Sequence, residues 1–407
     1  MNPRRARLPT DRRLEPGTPA GLQAASPCSP PAGESFDAAC IHAVGDRLCT
    51  GVNQRQAEGN PVMKFEGGLG VKAVTTWLPS TTQTTRDQVA AGRLTPERAR
   101  QLGVTELPVT PDLAAPEMAV RAARRALDRA GWDPARIGFL AHARVFHQGH
   151  EKWSYAHYMA NELGLPPTAL PFGIEALCTG GATGLLVAAT QLLGDPSLSG
   201  ALVTTGERYH APAWDRWSMH SDIGYGDGAT AALLHRRDGG PDDLHLLSLT
   251  HSTAGRLEGM ERGDRPFSQL PMQDRTTWET NVERKAFYEA VGKDAFPEEA
   301  RVHVRASLDQ ALDEAGLHPH DPRIRLFTMP RMGPRLVDVM YGSLAGVLKA
   351  ETVLLGGRTG HLGAGDMLAN MADIVSHRML RPGEFAVVAG AGGGFTWSTA
   401  VVQAPEK

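Results

Sequence analysis

Read for the spacing of its apolar positions, the chain divides into an opening stretch without period and a long remainder where helix and strand patterns alternate. In residues 1–62, Arg4-Arg5-Ala6-Arg7 and Arg12-Arg13 lead into Pro-, Gly- and Ser-rich sequence such as Pro27-Cys28-Ser29-Pro30-Pro31. No apolar periodicity runs through it, so it reads as a disordered tail. Folding is expected to begin near Val62-Met63-Lys64-Phe65, and Met63 is itself a candidate start. Gly67 to Pro79 reads as strand and turn, and Arg86 to Leu102 has helical composition. Over Pro116 to Ala130, Met118, Ala119, Ala122, Ala126 and Leu127 share one helical face, and Arg121, Arg124, Arg125 and Asp128 the other. Pro116 suits a first turn and Gly131 a C-terminal cap. Ile137 to Ala143 follows as a buried strand.

The same order of patterns returns. Ala126-Leu127-Asp128-Arg129-Ala130-Gly131 has a counterpart 185 positions on, in Ala311-Leu312-Asp313-Glu314-Ala315-Gly316. Ile137 to Ala143 is matched by Ile324 to Pro330, and Ser199 to Gly206 by Pro382 to Gly390. Gly228 to Leu234 is matched by Trp397 to Val402. Four matches in one order predict an internal duplication. Each half alternates helices with apolar strands, so the fold class is α/β with largely buried sheets. The expected division is a 1–62 tail, a 63–240 half and a 241–407 half.

Composition adds limits. The 407 residues are 41% hydrophobic and 21% charged, with a formal net charge of −3. That is an ordinary globular balance, with no basic footprint for nucleic acid or anionic membrane. No apolar run is expected to reach the ~18 residues of a membrane span, and the tail lacks the continuous apolar core of a signal peptide. Cys28, Cys40 and Cys49 lie in the tail and Cys178 alone in the body. A disulfide framework is not expected, and a cytoplasmic location fits.

Cys178 becomes the centre of the chemistry because of what surrounds it. In Ile174-Glu175-Ala176-Leu177-Cys178-Thr179-Gly180-Gly181-Ala182-Thr183-Gly184, a thiol stands between a short apolar segment and a run that reads as a buried helix. A helix start offers unpaired N–H groups and the positive end of the dipole, which favour thiolate. Glycines there allow close approach of another backbone or of a substrate. The duplication places the equivalent of Cys178 near Gly360-His361-Leu362-Gly363-Ala364-Gly365-Asp366. A pseudo-twofold would therefore bring His361, and Asp366 as an orienting carboxylate, beside the thiol. His251, in Thr250-His251-Ser252-Thr253, is a further candidate for the same pocket. Phe146-His147-Gln148-Gly149-His150 offers two histidines without an evident third ligand, so no metal site is assigned.

These residues carry a resemblance. The Cys178-Thr179-Gly180-Gly181 elbow, the strand motif Gly226-Asp227-Gly228-Ala229 and the closing loop Gly390-Ala391-Gly392-Gly393-Gly394-Phe395 resemble the ketoacyl-synthase III enzymes of the thiolase fold. The likeness spans roughly residues 63 to 403. It implies two duplicated halves in α-β-α-β-α layers, a homodimer, and Cys178 as nucleophile toward an acyl-CoA or acyl-carrier-protein thioester, without a cofactor. Gly392 and Gly393 would then offer a backbone N–H that, with that of Cys178, binds the oxyanion. Arg256 and Arg262 are possible coenzyme A contacts, although they are two of many arginines and a solvated surface role fits each better. The loop with His210, Trp214, Trp217 and His220 would form pocket wall or dimer contact.

The departures matter as much. The family's condensing members use a histidine and an asparagine to decarboxylate a malonyl unit. Here the histidine slot falls on Pro330 or Arg331, and the asparagine turn on Gly360-His361. That resembles the divergent branch of antibiotic biosynthesis, which primes polyketide synthases or transfers finished acyl groups. The expected activity is acyl transfer to a small-molecule or carrier-bound acceptor. The alternatives are a starter-selecting condensing enzyme or a non-catalytic partner subunit.

Overall fold

A computed structural model of the protein describes residues 65, 68–270, 277 and 280–406. The 1–62 tail, its three cysteines and Met63 lie outside the described residues.

Ten strands form one hydrogen-bonded sheet with a repeated plan. The first half supplies β1 (Leu69–Trp77), β2 (Ile137–Arg144), β3 (Leu170–Glu175), β4 (Gly200–Glu207) and β5 (Gly228–Arg236), in the spatial order β1-β5-β4-β2-β3. The second half supplies β6 (Leu244–Thr253), β7 (Ile324–Thr328), β8 (Glu351–Val353), β9 (Phe385–Gly392) and β10 (Thr396–Gln403), ordered β6-β10-β9-β7-β8. The two orders are the same plan written twice, and the four sequence matches fall on corresponding helices and strands. The halves join edge to edge where Leu69–Val71 of β1 pairs antiparallel with Leu244–Leu246 of β6.

The principal helices are α1 (Ala115–Ala130), α2 (Gly180–Gly194), α3 (Thr280–Val291), α4 (Ala295–Glu314), α5 (Pro334–Tyr341) and α6 (Asp366–Ser376). Helix α1 begins where the Glu117 carboxylate accepts the Ala114 N–H (2.7 Å). It stops at Gly131, whose φ of 62° suits glycine. Its apolar face packs on β1, β4 and β5, and its counterpart α4 packs on β6 and β10. Helices α2 and α6 meet at the centre, α2 packing on β2 and β4 and α6 on β1 and β9. Because helices cover both faces, strands such as Gly228–Arg236 are almost wholly buried and read as continuous apolar runs.

Two expectations need correction. The helical composition of 86–102 resolves into two short helices, Thr85–Ala90 and Pro96–Leu102, because Gly92 at φ 69° and Pro96 break the run. The stretch Leu177–Gly194 does have the length and composition to cross a membrane, but half of it is buried as the protein's central helix.

Candidate active site

Cys178 sits in the turn Leu177–Thr179 that leads from β3 into α2. Leu177 has φ 45°, a left-handed conformation that side chains rarely adopt. The chain thereby turns sharply, and the half-buried thiol lines a cavity. In the second half, the turn Gly363–Gly365 leads into α6 in the same way and is the counterpart of Leu177–Thr179. A Cβ on Gly181 would come within 2.4 Å of the Ala364 carbonyl oxygen and 2.8 Å of Leu368 Cδ1. The glycine therefore lets the second turn seat directly on the start of α2. We expect Gly181→Ala to cost about 1–3 kcal/mol, the usual range for overpacking. Thermal unfolding should show a Tm lowered by a few degrees, and an unchanged Tm would contradict this account.

His361 stands just before the second turn. Its backbone is clamped to the neighbouring half: its N–H donates to the Gly224 carbonyl (2.8 Å), and its carbonyl accepts the Gly226 N–H (3.1 Å). Thus the Gly224–Asp227 segment is a brace for a histidine. The clamp sets His361 Nε2 at 3.1 Å from Cys178 Sγ and Nδ1 at 2.6 Å from Asp366 Oδ2. The Asp366 carboxylate also accepts the N–H groups of Leu362 (2.8 Å) and Arg331 (2.7 Å). Sulfur, imidazole and carboxylate form one chain from the first half into the second.

The side chains of His361 and Asp366 are 1% and 5% exposed, so each needs the other to remain charged. Burial works against a charge on His361, but Asp366 and Cys178 outweigh it and hold the imidazole well above the ordinary histidine range. Burial likewise opposes the Asp366 carboxylate. His361, Arg331 and the Leu362 N–H more than compensate and lower its pKa.

Two neighbours escaped the sequence reading. Glu207 ends β4 fully buried and accepts the N–H groups of Val145 (2.6 Å) and Phe146 (3.0 Å). Burial raises its pKa to about 8 against those contacts, a further one from Ala364, and His361. It thus ties a cavity-wall loop to the His361 turn. A carboxylate closing an otherwise apolar strand was the available signal. Tyr225 sets its ring 5.6 Å from the imidazole and screens it on the cavity side.

Cys178 opens into a cavity of about 900 Å³. Phe146, Trp214, Met219, Tyr225, Met332 and Phe395 supply much of its apolar wall. Arg284, Lys285, Lys293 and Arg335 add cationic groups. Arg284 pairs with Glu261 and Arg335 with Asp222, while Lys293 is exposed.

Residues 312–404 match the family described as 3-oxoacyl-[acyl-carrier-protein (ACP)] synthase III C terminal. A β-ketoacyl-[acyl-carrier-protein] synthase III from Desulfitobacterium hafniense is 28% identical over 320 residues, covering 78% of this chain and 90% of that protein. One from Roseiflexus sp. is 25% identical over 287 residues, covering 70% and 82%. Among solved structures, the acyltransferase ChlB3 superimposes with a TM-score of 0.74 at 26% identity, covering 83% of this chain and 98% of that one. The chain is similar to ketoacyl-synthase III enzymes and has the thiolase fold. A synthase III structure from Pseudomonas aeruginosa, at 20% identity and TM-score 0.66, shares the fold over 83% of this chain and 99% of its own.

Within this ketoacyl-synthase III-like protein, Arg331 takes a structural place. Its backbone N–H holds Asp366, and its side chain is consumed by Asn370 (3.0 Å), Thr359 (2.9 Å) and Asp373 (2.6 Å). The guanidinium is buried and pointed into the second half, so it presents no acid or base to the thiol.

The remaining candidates divide. Gly392 adjoins the elbow: a Cβ there would lie 2.6 Å from Thr179 N and 3.1 Å from Cys178 N. Gly392 and Gly393 both line the cavity with Cys178. His251 does not join them. It pairs in register with Ser398, and among the described residues both its ring nitrogens lack a hydrogen-bond partner. The preceding Thr250 donates to Ser307 of α4, and strand alternation turns His251 to the opposite face of the sheet, outside the residues lining the cavity. Arg256 and Arg262 pair with Glu299 and Glu258 and are likewise outside it. Trp217 packs with Leu94, Leu102 and Leu107, whereas Trp214 and His220 are cavity wall.

Proposed function

We propose that the protein is an acyltransferase working through Cys178, and the observation that carries this is the continuous Cys178–His361–Asp366 hydrogen-bond chain. Cys178 Sγ attacks the carbonyl carbon of an acyl-CoA or acyl-carrier-protein thioester, its proton already held on His361 Nε2. The oxyanion of the tetrahedral intermediate meets the Cys178 N–H and an N–H of the Gly392–Gly393 segment. As the carbon–sulfur bond to the donor breaks, His361 returns its proton to the departing thiol. In the second half-reaction His361 takes a proton from the acceptor hydroxyl, amine or thiol, which attacks the acyl-cysteine and releases Cys178. Asp366 holds the ring with Nε2 toward the sulfur and balances the imidazolium.

The names of the curated relatives favour a second reading, a decarboxylating starter-unit condensing enzyme in which His361 replaces the usual pair. The side chain of Arg331, locked away from the thiol, speaks for transfer. A role in polyketide or other secondary-metabolite biosynthesis, a cytoplasmic location and a homodimer are extended to the chain on resemblance alone. Incubation with acyl thioesters and malonyl carrier protein distinguishes the chemistries. We expect an acyl adduct on Cys178 without carbon dioxide release. Carbon dioxide together with a β-ketoacyl product would replace transfer by condensation, and no adduct with any thioester would leave a non-catalytic partner.

A further inference from the structure

The cavity contains a second imidazole that the reaction above does not use. His220 is 4% exposed and lines the same cavity as Cys178. The Asp222 backbone N–H donates to its Nδ1 at 2.9 Å, so Nδ1 carries a lone pair and the proton of the neutral ring lies on Nε2. Among the described residues Nε2 has no hydrogen-bond partner, and it is not sealed into the protein. The site thus holds a buried donor with its direction set and its acceptor missing.

The turn that presents this ring is braced from both halves. Arg98 donates to the carbonyls of His220 and Ser221. Arg335 forks onto the Asp222 carboxylate at 2.6 and 2.8 Å, and Ser221 donates to the same carboxylate at 2.6 Å. The Gly333 N–H closes the arrangement on the Asp222 carbonyl at 2.7 Å. So many contacts on one short turn fix the ring and leave little freedom for Nε2 to find a partner within the protein. Burial, then Arg284, Arg98, His361 and Arg335, push the His220 pKa well below the ordinary range, so the ring stays neutral and donates one proton.

We propose that His220 Nε2–H is a specificity determinant that donates a hydrogen bond to an oxygen carried on the acyl chain of the substrate. The class of substrate is therefore an oxygenated acyl thioester, with a hydroxyl or carbonyl beyond the thioester group, in preference to a plain alkyl chain. A plain chain would bury the N–H without a partner, and sites built around such a donor discriminate strongly against analogues that lack the acceptor. The acyl chain is the part of a thioester that lodges in an apolar cavity, while the coenzyme or carrier arm leads out to solvent. The proposal rests on the reading of Cys178 as the acylated residue.

The test compares hexanoyl-CoA with hydroxyhexanoyl-CoA thioesters oxygenated at each successive carbon, and follows mass gain on Cys178. One or more oxygenated thioesters should load about 10-fold or more faster than hexanoyl-CoA. His220→Phe should bring the two rates together, and His220→Gln, which places an amide donor near the same point, should restore part of the preference. Equilibrium binding of the same thioesters to Cys178→Ala protein separates this inference from the proposed reaction. If no thioester acylates the protein but oxygenated ones bind tighter and His220→Phe removes the difference, acyl transfer fails and the His220 contact stands. Loading and binding both blind to oxygen, a preference confined to the transfer step, or a preference surviving in His220→Phe would each overturn the inference. Nitrogen NMR should also show His220 protonated at Nε2, and an Nδ1–H tautomer would overturn it as well.

Discussion

Cys178→Ala is expected to abolish acyl loading altogether. Intact-mass analysis after exposure to an acyl thioester should show the adduct on the native chain and none on the variant. Turnover should fall by on the order of 10³–10⁶-fold, as nucleophile deletions do in acyl-transfer enzymes. Fold stability should change little, because the half-buried thiol faces the cavity and, among the described residues, its side-chain hydrogen bond is the one to His361. A variant that still carried the acyl group would move the nucleophile elsewhere and undo the proposed reaction.

The second large effect concerns the other two members of the chain. Removing the imidazole in His361→Ala, or its orienting carboxylate in Asp366→Asn, should slow acyl loading by on the order of 10²–10⁴-fold. Asp366→Asn differs by also changing how stability depends on pH. The raised pKa of His361 gives stability that is complete below about pH 6.5 and lost as pH climbs through the raised value. The lowered pKa of Asp366 gives stability present above about pH 4 and lost as pH falls through the lowered value. Both contributions are whole between about pH 4 and 6.5. The Tm difference between native protein and Asp366→Asn should be widest there and narrow toward alkaline pH. A constant difference across the range would mean that the pair is not ionised in the folded protein.

The meeting of Cys178, His361 and Asp366 was legible before any coordinates because the sequence repeats. A turn and helix start in one half implied a turn and helix start in the other, and a twofold brings such elements together. Local pattern was sufficient for α1, where apolar spacing, Pro116 and Gly131 all agree. It failed over 86–102, where overall helical composition hid the break at Gly92 and Pro96. It also failed for His251, since adjacency to a motif strand says nothing about which sheet face a side chain occupies.

The supporting residues were illegible for a different reason. Glu207 acts on the N–H groups of Val145, Phe146 and Ala364, and every residue has such a group, so no residue type marks the partner. His220 is defined by its tautomer and by an empty direction, both properties of three-dimensional placement. The slot at Arg331 could be recognised as a departure. That its side chain is fully engaged by Thr359, Asn370 and Asp373 could not.

Arg331 also limits which side chains its position can accept. Once a guanidinium is enclosed by three partners, replacing it by a shorter imidazole leaves Asn370 Oδ1 unpartnered in the interior and withdraws the countercharge near Asp366. A histidine placed there alone would meet surroundings shaped for a longer, permanently charged group. Thr359, Asn370 and Asp373 would have to be exchanged along with it.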